Sequence, residues 1–201
     1  MLTQIHKEQR AGKATSSEFH KLMGEKGLGE TGNTYALEKA IEIVFGVDED
    51  ESYESYDMAR GTELEPLAFD FFKDKIQLEF LTLEPSKFIQ LGENQGGTPD
   101  GIVGGRFPLE TKCPKPENYF KILRYGIEKV DKNWIIQLNH QMLLLGVGKG
   151  YFNPFTIYNG EAYHHFYEVQ RDAEMIEKMK VRLNEWVKIR DEHVAVLKSK
   201  I

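Results

Sequence analysis

The chain has 201 residues and a formal charge of −6, from 26 Lys plus Arg against 32 Asp plus Glu, an acid excess that argues against bulk binding of polyanions. A single cysteine, Cys113, excludes an internal disulfide and any thiolate-held metal or iron–sulfur site supplied by one chain. With 40% hydrophobic residues, 12 Phe and 9 Tyr there is material for a core and intrinsic disorder is excluded; the N-terminus lacks the apolar run of a secretory signal and no window approaches the ~18 apolar residues of a membrane span, so a cytoplasmic protein is expected.

Ser17, followed by Glu18, Phe19, Leu22 and Met23, predicts a short capped helix ending at Gly24. The glycine-rich run Gly24 to Gly32 reads as a loop. Thr34 to Phe45 has helical spacing at Leu37, Ala40, Ile41 and Val44, and the acidic segment over 48–57 reads as a solvated loop. Arg60 to Lys75 sets Leu64, Leu67, Ala68, Phe71 and Phe72 along one helical face, with Pro66 in the first turn. Lys87 to Leu91 and Ile102 to Thr111 read as strands of a hairpin, joined by the turn-rich GENQGGTPDG and interrupted at Gly104-Gly105. Pro114 and Pro116 stop the second strand, and helices are predicted over 117–127 and 132–146, the latter turning Trp134, Ile135, Leu138, Met142 and Leu145 inward. Gly150 to Ile157 and Ala162 to Val169 read as strands around Asn159-Gly160, a type I′ hairpin signal. Residues 172–198 complete the chain as an amphipathic helix with Ile176, Met179, Leu183, Trp186 and Val187 on one side. The pattern predicts one α/β (α+β mixed) domain over 1–201: a helical part over 1–80, a central mixed β-sheet over 86–170 that carries the chemistry, and the helix over 172–198.

The informative stretch is Pro99-Asp100-Gly101 followed by Glu110-Thr111-Lys112. Residues two apart on a strand share a face, so Glu110 and Lys112 point together while Thr111 points into the other layer, and an Asp on the preceding turn can meet them. Two carboxylates beside an ammonium suit phosphodiester hydrolysis, with hard oxygen ligands for magnesium or manganese and a lysine to polarise the attacking water. The letters alone also suit an ordinary surface turn and a solvent-facing strand. The flanks weigh against that, because the pair sits where an apolar strand meets Pro114, and a third acid, Glu65, lies beside the apolar face of the helix RGTELEP.

In order along the chain, R-A-G-K-A-T-S-S-E-F-H, A-R-G-T-E-L-E-P, G-T-P-D-G, L-E-T-K-C-P and I-I-Q-L-N-H-Q-M resemble the motifs of the phage-type, lambda-like alkaline exonuclease family of the PD-(D/E)xK nuclease superfamily. The resemblance implies a restriction-endonuclease-like core. It implies Asp100 and Glu110 as metal ligands with Glu65 completing the site, Lys112 as the catalytic lysine and Gln137 in a supporting role at the active centre. It further implies that Arg10, Ser17 and Thr98 hold a 5′-terminal phosphate, a role suited to a guanidinium fork with hydroxyls. The implied activity is Mg2+-dependent (two ions, Mn2+ as a substitute) 5′-to-3′ digestion of linear double-stranded DNA, giving mononucleotides and 3′ single-stranded overhangs for recombination. A ring-shaped homotrimer and a single-strand annealing protein as partner follow from the same resemblance.

Two other readings stand beside it: a PD-(D/E)xK endonuclease, restriction or structure-specific, and a catalytically inactive DNA-binding module. His20 matches a histidine of the resembled family but reads as a packing residue on a short helix, and His140, His164 and His165 lack metal-ligand spacing and read as structural. Lys115, Lys121, Arg124 and Lys129, interleaved with Tyr119, Phe120 and Tyr125, suit either a DNA track or a solvated helix face. The run GEKGLGETG lacks the lysine-serine end of a phosphate-binding loop, which excludes an NTPase.

Overall fold

The computed structural model describes residues 4–47, 56–77 and 81–201. In chain order, the described residues form α1 (Gln4–Arg10), β1 (Ala14–Thr15), a 3-10 helix (Ser16–Leu22), α2 (Gly29–Phe45), α3 (Tyr56–Gln77), β2 (Leu83–Pro85), β3 (Ile89–Leu91), β4 (Gln95–Gly97), β5 (Gly101–Val103) and β6 (Phe107–Lys112). There follow α4 (Pro116–Tyr125), a 3-10 turn (Ile127–Lys129), α5 (Lys132–Leu145), β7 (Lys149–Tyr158), β8 (Glu161–His164), β9 (Tyr167–Gln170) and α6 (Ala173–Lys198). The chain gathers into two compact units, one from 1–51, 88–98 and 172–201, the other from 52–87 and 99–171.

In the first unit α2 packs along α6, burying Tyr35, Ala36 and Ala40 against Ile176, Met179, Leu183 and Trp186, and the Tyr35 and Trp186 rings lie 5.4 Å apart. A three-stranded sheet in the order β1-β4-β3 completes it among the described residues. Here the structure departs from the expected hairpin of 87–91 with 102–111: β3 pairs instead with β4, which lies inside the segment read as turn. Gly96 and Gly97 carry no strand propensity, and the Phe88 ring fills the place where a Gly96 Cβ would sit. Helix α2 begins at Gly29, inside the glycine run read as a loop, and a Cβ on Gly32 would stand 2.8 Å from Leu28 Cβ. Arg190, buried on α6, donates to the Gly12 carbonyl at 2.7 Å and to Asn94 Oδ1 at 2.8 Å, tying the approaches to β1 and β4.

In the second unit the strands run β2-β5-β6-β7-β8, with β9 also on β7, in a mixed sheet flanked by α3, α4 and α5. The expected mixed α/β class holds. β5 and β6 are antiparallel around Gly104 and Gly105, both at positive φ, whereas β6 and β7 are parallel and need the long crossover through α4 and α5. β7 is buried along most of its length, as a central strand covered on both faces must be. The region read as one strand over 162–169 is two, since Pro154 has no N–H to give and the ladder on β7 breaks opposite His165 and Phe166. Asn159 (φ 52°) and Gly160 (φ 79°) make the left-handed turn that the sequence signals.

Helix α3 starts before Arg60, so Pro66 stands in its interior rather than its first turn. Of its expected inward face, Leu64, Ala68 and Phe72 are buried while Leu67 and Phe71 stay exposed. Of the expected inward set on α5, Ile135, Leu138 and Met142 are buried while Trp134 and Leu145 are only half-buried. Phe72 joins Ile76, Leu83, Val103, Leu109 and Tyr151 in a core beneath the sheet. The acidic segment expected as a loop over 48–57 lies outside the described residues, apart from its last two positions in α3. Among the described residues no helix is long and apolar enough to cross a membrane.

Candidate active site

A cleft of about 550 Å³ opens on the second unit, lined by Arg60 and Glu65 of α3, Asp100 from the turn before β5, Thr111 and Lys112 of β6, and Trp134 of α5. Glu110 lies beneath it, only 1% exposed. The alternation expected for β6 is present: Lys112 Nζ reaches Glu110 Oε1 at 2.6 Å, while Thr111 turns to the other layer, where its hydroxyl accepts from Asn153, which also donates to the Ala68 carbonyl of α3. Asp100 is held by two backbone bonds, its N–H donating to the Leu109 carbonyl at 2.9 Å and its Oδ2 accepting from the Thr111 N–H at 2.6 Å. Gly101 brings this turn against β2, for a Cβ there would meet Leu83 Cδ1 at 2.9 Å and Phe69 at 3.1 Å.

The electrostatics follow from three acids around one cation. Burial, then Glu110, pushes the Asp100 carboxyl well above the ordinary carboxylate range, against the pull of Lys112 and the Thr111 N–H. Desolvation at the cleft wall and Glu110 raise Glu65 in the same direction. Burial works against the Lys112 charge, but Glu110 and Asp100 outweigh it and hold the ammonium above its usual range. Lys112 is therefore a cation at neutral pH, an electrostatic group rather than a ready base. Cys113 packs against Leu64, Ala68 and Phe155, and burial pushes its thiol up to about 12, which makes it inert as a nucleophile.

All the donors that Glu65, Asp100 and Glu110 present are hard carboxylate oxygens, and three acids facing one ammonium leave a local excess of negative charge, so their chemistry fits a divalent cation. The expected convergence is incomplete: among the described residues no three His, Cys, Asp or Glu side chains stand together closely enough to hold an ion.

The glutamine against this site is Gln141, fully buried, whose Nε2 donates to Glu110 Oε2 at 2.6 Å. Gln137, the expected one, lies one helical turn earlier on α5 and is only half-buried. Sequence reading also passed over Arg60, which donates to the Cys113 carbonyl and, at 3.0 Å, to Thr156 Oγ1. Thr156 in turn donates to the Pro114 carbonyl, so the chain leaving β6 is pinned just beyond Lys112. The available signal was polarity out of place: Asn139, His140 and Gln141 interrupt the apolar run from Ile135 to Leu145. His140 is fully buried and its imidazole is pushed down to about 3 by that burial, as befits a structural histidine.

In the first unit, the Arg10 guanidinium donates to Ser17 Oγ at 2.8 Å and to Thr15 Oγ1 at 3.4 Å. The parallel register sets Ala14 beside Gln95 and Thr15 beside Gly96, and Thr98 follows directly on β4. Ser17 is not a helix cap, as expected from sequence, but stands inside the first turn of the 3-10 helix, which leaves its hydroxyl to Arg10. On α4, Tyr119 is buried, Lys121 is paired with Glu117, and Phe120 and Tyr125 are exposed, with Arg124 over the Tyr125 ring.

Residues 6–147 match the YqaJ-like viral recombinase domain. The chain belongs to this family. No curated protein matches it. Among solved structures, an alkaline exonuclease from Laribacter hongkongensis superposes with a TM-score of 0.82 at 22% identity, over 98% of this chain and 97% of that one. The same enzyme in complex with dAMP superposes with a TM-score of 0.82 at 21% identity, over the same 98% and 97%. A phage-related exonuclease from Haemophilus somnus 129PT superposes with a TM-score of 0.74 at 20% identity, over 92% and 96%. The resemblance read from the motifs is thereby borne out for family and fold.

Proposed function

We propose that this YqaJ-family chain is a metal-dependent exodeoxyribonuclease that digests one strand of linear double-stranded DNA from a 5′ end. Mononucleotides would be released, leaving a 3′ overhang for recombination. The observation that carries this reading is the buried Glu110 shared by Lys112 and Gln141, with Asp100 fixed on the Thr111 N–H at the cleft. Asp100, Glu110 and Glu65 are the residues that would hold magnesium, and an ion bound there would supply an activated water and offset charge on the phosphorane-like transition state. Lys112, kept protonated by its acidic neighbours, presents positive charge toward the scissile phosphate. Arg10, Ser17 and Thr98 are the groups suited to a terminal phosphate. A relative of the same fold was solved with dAMP, a mononucleotide, which is consistent with release of single nucleotides.

The ring-shaped trimer and annealing partner belong to this reading, with light scattering as the check on the first, as does a cytoplasmic setting.

A time course compares linear plasmid bearing 5′-phosphate, linear plasmid bearing 5′-hydroxyl and closed circles, with and without Mg2+. Mg2+-dependent loss of the 5′-phosphorylated linear form, slower loss of the hydroxyl form and survival of the circle are expected. Lys112→Ala and Asp100→Ala are each expected to lower the rate by about 10²–10⁴-fold. Cutting of closed circles would make the chain an endonuclease, and no turnover at all would leave a DNA-binding module.

A further inference from the structure

We propose that Gln141 is a positioning residue that fixes Glu110 so that a single carboxylate oxygen, Oε1, is offered to the cation site. The proposal rests on the reading of Asp100 and Glu110 as ligands of a divalent ion. Glu110 has both oxygens engaged, Oε2 by the Gln141 amide and Oε1 by Lys112, each at 2.6 Å. The two partners differ in freedom. The Lys112 side chain is 27% exposed on a four-carbon stem and can swing away, whereas Gln141 is 0% exposed and cannot. When a cation takes Oε1 in place of the lysine, the amide still holds Oε2, and the carboxylate does not rotate to follow Lys112.

Only the amide nitrogen can face an ionised carboxylate, so this bond dictates the orientation of the Gln141 side chain. The cost of that orientation is visible at its other end: Gln141 Oε1 is buried with no hydrogen-bond partner among the described residues. A buried acceptor left unpaired is unfavourable, and a helix position needing only volume is better filled by Leu or Met. The amide is therefore kept for its donor, and its donor has one recipient, the acid of β6. Groups that orient a metal ligand from behind commonly change metal affinity by about 10–100-fold when removed.

The test measures Mn2+ binding to the DNA-free protein by calorimetry or electron paramagnetic resonance, with melting temperature taken alongside. Wild type, Asp100→Asn and Gln141→Met are compared. The expected result is that Gln141→Met, which keeps the volume and removes the donor, binds Mn2+ about 10-fold or more weakly, with a lowered melting temperature because Glu110 Oε2 is left buried and unpaired. A purely structural glutamine would lower the melting temperature and leave the affinity alone. Should Gln141→Met not fold, Gln141→Asn, too short to reach Glu110, is expected to show the same loss, and failure of both to fold overturns the proposal. It is also overturned, with the metal reading intact, if Asp100→Asn loses Mn2+ while Gln141→Met binds like wild type. If wild type binds no Mn2+, or Asp100→Asn binds as well as wild type, the metal reading itself falls and takes the proposal with it.

Discussion

Asp100 pays for its position. Burial and Glu110 hold its carboxyl above the ordinary range, so the folded protein retains that proton more tightly than the unfolded chain, whose aspartates titrate near ~3.9. Stability from this residue is therefore greatest below about pH 4 and falls as the pH rises through the elevated folded range. In the metal-free protein, Asp100→Asn, which keeps an acceptor for the Thr111 N–H and removes the charge, is expected to raise the melting temperature at pH 8. Each kcal/mol recovered corresponds to about 2–4 °C in a chain of this size. The gain should shrink as the pH is lowered toward 4, and melts at pH 4, 6 and 8 in chelator read it directly. A lower melting temperature for the variant at pH 8 would show that the charge of Asp100 is already well compensated by Lys112 alone.

At the scale of elements, the site is made where β5 and β6 meet α3 and α5, and the strand contacts leave little slack. Gly101 is a tight point, because its missing Cβ makes room for Leu83 of β2, Phe69 of α3 and the Glu84 carbonyl. Gly101→Ala is expected to cost about 1–3 kcal/mol through this overpacking, measured as a shift in the denaturation midpoint at constant m-value. It should also depress turnover by more than the loss of folded protein explains, since Asp100 immediately precedes the strand it displaces. Equal activity per folded molecule would show that the turn absorbs the methyl group without moving the acid. A similar economy governs β7, where Pro154 divides one long strand between two partners and Asn153 beside it reaches both Thr111 and α3.

For the molecule as a whole, the charge of −6 is uninformative as a sum. Three of the acids face a single ammonium at one cleft, where, on the proposed reading, negative charge would attract a divalent ion rather than bar DNA. An ion that binds the folded chain alone stabilises it by mass action, about 2.7 kcal/mol at a concentration of ~100 times its dissociation constant. Mg2+ is accordingly expected to raise the wild-type melting temperature by about 5–10 °C under those conditions and to leave Asp100→Asn nearly unmoved. Equal shifts in both proteins would place the bound ion elsewhere.

The amino-acid sequence by itself determined the long helices, the Asn159-Gly160 hairpin, and the facing of Glu110 with Lys112. These depend on periods of 3.6 and 2 and on local turn chemistry. It also carried the family, through motifs that keep their order along the chain and match the YqaJ-like domain. Only the tertiary structure decided which strands pair, because β1 and β4 are two and three residues long and find each other from distant parts of the chain. The choice of Gln141 over Gln137 as the partner of Glu110 was tertiary for a similar reason. The two lie four residues apart, on one face of α5, and helical spacing cannot separate them. What separates them is depth: Gln141 lies at the buried level of β6, and there a carboxylate must find a donor.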